Sequence, residues 1–360
     1  MTLPSIIHGD LPGAVFDFEF YNGTPYHCCA MRATFAFDAD GELDILEDQP
    51  PMMFGDYFDP DTPGAVFDNL MATAELLYPS DTTPYKPATD VLVVGTAQSK
   101  DPKTAWICEL KLGQIRKRLQ VTGPRAWTYS RLSGWQLSVP QATTGVPLRY
   151  DHGYGGRVHL DKAFDDIKPS DLYPDNPLGR GFLASHEATP GLLYPAPQIE
   201  YPDSLIQSDP ARAARVAGFS PMPPSFWQRL KLSGTYDEAW EKQVAPHIPL
   251  DMDLRYWNTA PEDQQVDPYQ ATQDKLTLSG FLATGDVSME LPSLACWAQV
   301  DYADGKQEVN AMWLDTVVVD LDQRHLVMRW GWITKHDPAI RRIQLACPRQ
   351  DEWFAKLKQE

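Results

Sequence analysis

Asp251 and Asp253 stand two residues apart, flanked by tyrosine and tryptophan, in the acid-rich stretch SGTYDEAWEKQVAPHIPLDMDLRYWNTAPEDQ (233–264). Paired carboxylates beside aromatic rings are the equipment of a glycoside hydrolase. One acid protonates the leaving oxygen, the other acts as nucleophile or base, and the rings offer platforms for sugars. Asp237, Glu238, Glu262 and Asp263 add further acids nearby. The spacing also has a plainer use. In an extended segment residues i and i+2 share a face, and Arg255 continues that face, so one guanidinium can neutralise both carboxylates. The plainer use is the favoured one. The other reading makes the chain a carbohydrate-active β-sandwich enzyme or lectin working through the Asp251/Asp253 region.

Other catalytic signatures are missing: there is no G-x-S-x-G, H-E-x-x-H, P-loop or G-x-G-x-x-G. HEATP at His186 lacks a second histidine. HGYGG at 152–156 precedes no helix start that could hold a phosphate, and DADGELD is too short for a calcium loop. The five cysteines fit neither a zinc knuckle nor a disulfide framework, and adjacent Cys28 and Cys29 point to opposite faces of a strand. They are expected to be small buried apolar residues. No catalytic residue, cofactor or metal ligand is assigned.

A net charge of −18 disfavours nucleic acid and anionic membranes as partners. Residues 1–109 carry 18 acidic and 4 basic side chains, whereas 110–150 carry 7 basic and no acidic ones. The basic block, interleaved with Trp127, Tyr129 and Trp135, has the look of a single-strand nucleic-acid binder. Given the overall charge it is read instead as a strand whose basic face meets the acidic N-terminal third. The start, MTLPSIIHGDLPGAVF, shows no basic region followed by an apolar core, and no apolar run approaches the ~18 residues needed to cross a bilayer. A cytoplasmic location is expected.

The elements that would position these side chains are mainly strands. Hairpins are predicted at Asp40-Gly41, at Asp304-Gly305 and within TVVVDLDQRHLVMRWGWI, with TDVLVVGTA and RRIQLAC as buried strands. Residues 157–224 hold eleven prolines, too many for helix or central strand. Helices are expected near 65–77, after Thr235 and from Gln350. Thr235 with Glu238 makes a capping box, Tyr236, Ala239, Trp240 and Val244 share one helical face, and Pro246 ends the helix. Leu250, Met252, Leu254 and Tyr256 then alternate as in an extended segment. The fold class is mainly β, a sandwich-like packing of antiparallel sheets with long proline-rich connections and a few short helices. One large domain is expected over 1–360, with possible sub-lobes 1–156 and 217–360 joined by an ordered connection at 157–216.

Seven stretches occur in an order that resembles one family: KPATDVLVVG (86–95), KRLQVTGPRAW (117–127), VPLRYDHGYGG (146–156), NPLGRGF (176–182), APQIEYP (196–202), AGFSPMPPSFWQRLKLSGTYDEAW (217–240) and PLDMDLRYWNTAPEDQ (249–264). The chain resembles the uncharacterised-domain proteins encoded beside type VI secretion spike and toxin genes. DHGYGG departs from the family pattern, which has a small residue and phenylalanine before the glycine pair. The resemblance implies an adaptor or chaperone that binds a cognate toxin, often through its spike-tip domain, and helps load it onto the secretion spike. It implies no enzymatic activity and supplies no partner-contact residues.

Candidate partner contacts therefore come from residue type alone. Trp227, Arg229, Tyr236 and Trp240 could line a groove, and Asp56, Asp59 and Asp61 could form an acidic patch for a basic region of the toxin. The favoured reading makes Trp127, Trp227 and Trp240 core aromatics with a hydrogen-bonded edge. Lys86, Asp90, Arg125, Arg229 and Asp237 could form a buried polar network that fixes the long connection.

Overall fold

The computed structural model describes residues 3–20, 23–60, 74–156, 172–182, 188–268 and 274–347. The chain is mainly β, with several antiparallel sheets packed together and, among the described residues, no closed barrel. The largest sheet has seven strands. Its order runs Gln265–Val266, Thr89–Val94, Trp313–Asp320, His325–Lys335, Thr24–Phe37, Gly13–Phe20, with Leu43–Ile45 pairing beside Thr24–Phe37. Thr89–Val94 and Trp313–Asp320 run parallel; their other neighbours are antiparallel. The sheet thus interleaves strands from both ends of the sequence.

Alternation within the strands explains the layers. Val91 and Val93, Val317 and Val319, and Met31, Ala33 and Phe35 face a large apolar core. That core is shared with a five-stranded sheet (through Leu110, Leu119 and Leu276) and a four-stranded sheet (through Val300 and Ile343). Leu92, Val94, Val318 and Val327 point the other way and meet Ala260 and Tyr78 in a separate cluster. A strand covered on both faces needs apolar residues at every position, which is why TDVLVV reads as one continuous run. The second face also carries buried charge: Arg329 pairs with Asp315, and Arg32 Nη1 lies 3.0 Å from Asp81.

The three predicted hairpins form: Phe37 opposite Leu43, Trp297–Asp301 opposite Gln307–Ala311, and Asp320 opposite His325. The helix expected at 65–77 is overturned where it is described. Leu76–Tyr78 is a strand paired with Tyr57–Phe58, and residues 65–73, like the C-terminal helix from Gln350, lie outside the described residues. In the proline-rich connection, Leu193–Pro195 pairs with Ala126–Ser130, and Ile199–Glu200 with Ile115–Thr122.

The cysteine expectation needs correction. Cys28, Cys29 and Cys108 are free and buried, but Cys296 and Cys347 form a disulfide. They flank the antiparallel register pair Trp297–Ala346, so strand pairing itself brings their Cα atoms to 4.1 Å. The expectation of small buried apolar residues therefore holds for three of the five cysteines. Among the described residues no helix is long and apolar enough to cross a membrane.

Candidate functional site

Three of the stretches read in order along the sequence, 86–95, 217–240 and 249–264, meet in space. Asp90, in the strand Thr89–Val94, is fully buried and sits at their junction. Its carboxylate accepts from Lys86 Nζ at 2.9 Å, Asn258 Nδ2 at 2.8 Å and the Thr259 N–H at 2.8 Å. Lys86 also donates to Thr316 Oγ1 at 2.8 Å. The Thr259 carbonyl accepts from the Met222 N–H at 2.7 Å, and the Met222 carbonyl accepts from Arg229 Nη1 at 2.6 Å. The side-chain amide of Gln264 then donates to the carbonyls of Val91 and Phe219. Segment 217–264 is in this way stitched onto the outer face of the large sheet. A second joint holds the glycine loop: Tyr154–Gly155 pairs in parallel with Arg180–Gly181. Gly155 has φ +145°, and a Cβ there would stand 2.2 Å from the Asn176 carbonyl oxygen, so only glycine fits.

Arg125 and Asp237 do not join the Asp90 network. Arg125 pairs with Glu200, and Asp237 is exposed and caps a helix. The helix after Thr235 spans Glu238–Gln243, and its cap is Asp237, whose Oδ1 accepts the Trp240 N–H at 2.8 Å. The predicted Thr235–Glu238 capping box does not form, and the cap lies two residues later. Thr235 instead donates both its N–H and its hydroxyl to Asp251, at 3.0 and 2.7 Å.

The extended reading of 250–256 is also corrected. Leu254–Trp257 is a 3-10 turn capped by Asp253, whose Oδ1 accepts the Arg255 N–H. Asp251 and Asp253 therefore do not share a strand face. Bonds from the Thr235 N–H and hydroxyl hold the Asp251 carboxyl below the usual range. The Arg255 guanidinium and N–H do the same for Asp253. A glycosidase acid needs the opposite shift. Among the described residues no group of three or more His, Cys, Asp or Glu side chains could hold a metal ion.

The predicted contact residues divide. Trp227 and Tyr236 are each 50% exposed. Trp240 is partly buried; its ring meets Tyr236 edge-on at 4.7 Å, and its Nε1 donates to the His247 carbonyl. Trp127 alone of the three tryptophans is fully buried. Arg229 is buried beneath this surface and lines two cavities. The smaller, about 300 Å³, lies between Phe16, Phe18, Trp257 and Asp56, so the structure brings Asp56 and Arg229 to one place. Asp59 is elsewhere: it is buried, 2.6 Å from Arg149. Asp61 lies outside the described residues. The basic block meets acids from several parts of the chain. Lys111 and Arg116 reach Glu109, Lys117 reaches Asp263, and Arg149 reaches Asp59.

Sequence reading missed the aromatic and cationic cluster around Tyr201. The Arg215 guanidinium stacks 3.6 Å from its ring centroid, and the hydroxyl donates to Asp263 Oδ2 at 2.7 Å. Lys117 Nζ, buried, lies 2.8 Å from Asp263 Oδ1. Burial brings the Lys117 pKa down to about 8, against the pull of Asp263. Four distant stretches build this cluster, and no local pattern could have announced it.

The chain is a mainly β protein whose segment 217–264 is fastened to its largest sheet at Asp90. A family model described as an uncharacterized protein conserved in bacteria, DUF2169, matches residues 22–331, and the chain belongs to that family. No curated protein and no solved structure matches it.

Proposed function

We propose that this protein is a type VI secretion effector adaptor. In the cytoplasm it binds a cognate toxin, through the toxin's spike-tip or N-terminal region, and helps load it onto the secretion spike protein. Neither nucleic acid nor membrane is a partner in this reading. The observation that carries it is a pair of half-exposed aromatics, Trp227 and Tyr236, held on a segment that buried hydrogen bonds fasten to the sheet. Large aromatic side chains on a fixed backbone lose little freedom when a partner covers them, and such residues dominate interface energies. The resemblance to proteins encoded beside spike and toxin genes supplies the kind of partner. The acidic N-terminal third, with Asp56 exposed, favours a basic region on the cargo.

The test is capture of the co-expressed toxin by the Trp227→Ala/Tyr236→Ala variant. Affinity should fall at least about tenfold, while Tm moves little because both side chains are half in solvent. Undiminished capture would remove this face from the interface.

A further inference from the structure

Arg229 is a buried cation without a counter-ion. Its residue is 4% exposed, and Nη1 and Nε are taken by the neutral carbonyls of Met222 and Tyr256. Among the described residues no carboxylate lies within ion-pairing distance, and Nη2 makes no hydrogen bond to the protein. Burial lowers its pKa, opposed by Tyr256, Asp56 and Asp90, and its guanidinium lies 5.0 Å from the Tyr256 ring centroid. A guanidinium taken from water and left unpaired is costly, and the usual resolution is a carboxylate on its free edge.

The larger cavity lined by Arg229, about 640 Å³, continues into a shallow second one of about 620 Å³; the two share Tyr201, Arg215 and Asp263. Seven basic and four acidic side chains line them together, an excess of three positive charges on a chain whose net charge is −18. Lys117 and Asp263 neutralise each other, Arg215 lies 3.6 Å from Asp203, Arg255 pairs with Asp253, and Arg116 and Arg118 share the single carboxylate of Glu109. Lys231, exposed on the rim, has no carboxylate partner among the described residues. The combined groove is far larger than a single small anion needs, and Tyr201 lies where its two halves meet.

We propose that this groove binds an acidic polypeptide segment of a partner, with one carboxylate seated on Arg229 and others met by Arg215 and Lys231. The proposal extends the adaptor reading by naming the chemistry of one cargo segment. It is tested without any cargo, so the two readings fail separately.

The probe is a fluorescein-labelled hexaglutamate peptide, compared with its hexaglutamine counterpart by fluorescence anisotropy on the full chain. Hexaglutamate should bind at least about tenfold more tightly, and its affinity should fall between about 0.05 and about 0.5 M salt. Arg215→Glu with Lys231→Glu reverses two exposed charges and should weaken binding at least tenfold; because Arg215 also stacks on Tyr201, Lys231→Glu alone is measured beside it and should weaken binding at unchanged Tm. Arg229→Lys keeps the charge but loses the fork, and if it folds it should also bind more weakly. Equal binding of the two peptides, or full affinity in the Arg215→Glu/Lys231→Glu variant, would overturn the proposal. So would complete displacement of hexaglutamate by equimolar inorganic phosphate, which would mark a small-anion site instead.

Discussion

Individual side chains show which acids are available for work. Asp251 and Asp253 look like a catalytic pair in the sequence, yet each is consumed locally, one by Thr235 and one by Arg255. The acid with an unusual environment is Glu75, which no sequence pattern singled out. It is fully buried and accepts the Tyr150 N–H at 2.6 Å, while its second oxygen finds no partner. Burial raises its pKa from 4.5 to about 8. The folded protein therefore keeps a proton that the unfolded chain releases, so Glu75's contribution to stability falls as pH rises from about 4.5 through about 8. Glu75→Gln removes this dependence and preserves an acceptor for Tyr150. Relative to wild type it should gain on the order of 3–5 kcal/mol between those limits, read by denaturant unfolding at several pH values. Parallel stability curves for the two proteins would contradict the assignment.

Hairpins and buried strands are legible element by element because their cause is local. Asp-Gly between alternating runs specifies a tight turn wherever it occurs, and Val91 to Val94 specify a doubly covered strand. Segment 250–257 was misread because its apolar alternation was real while the deciding force was not apolar. The Asp253 side chain bonds the Arg255 backbone and winds the chain into a turn. The helix cap moved for a similar reason, since Asp251, sixteen residues away, claims Thr235 and leaves Asp237 to cap. What no local pattern could supply is the joint at Asp90, assembled from positions 86, 90, 258, 259 and 316. Removing that carboxylate strands Lys86 as a buried unpaired charge and frees the Asn258 and Thr259 donors. Asp90→Ala should cost about 3–5 kcal/mol in chemical denaturation. A cost below about 1 kcal/mol would mean that segment 217–264 is held by its apolar contacts alone.

At the scale of the whole molecule, the mainly β class could be read from the sequence, whereas the arrangement of sheets could not. Thr89–Val94 lies beside Trp313–Asp320, strands more than two hundred residues apart. The Cys296–Cys347 bond and the burial of Asp59 against Arg149 are likewise products of distant pairings. The same folding that hides Asp59 gathers Arg116, Arg215 and Arg229 into one basic groove, and leaves Trp227 and Tyr236 half in solvent on a fixed segment. Those surfaces are what an adaptor would use, and the central claim is that they hold a toxin. The most direct measurement is co-expression with each protein encoded in the neighbouring genes, followed by affinity purification and light scattering of the eluted species. The account predicts that one toxin is retained at a fixed stoichiometry and becomes soluble only when this chain is present. Elution of this chain alone, with every neighbouring toxin soluble and active without it, would contradict the account.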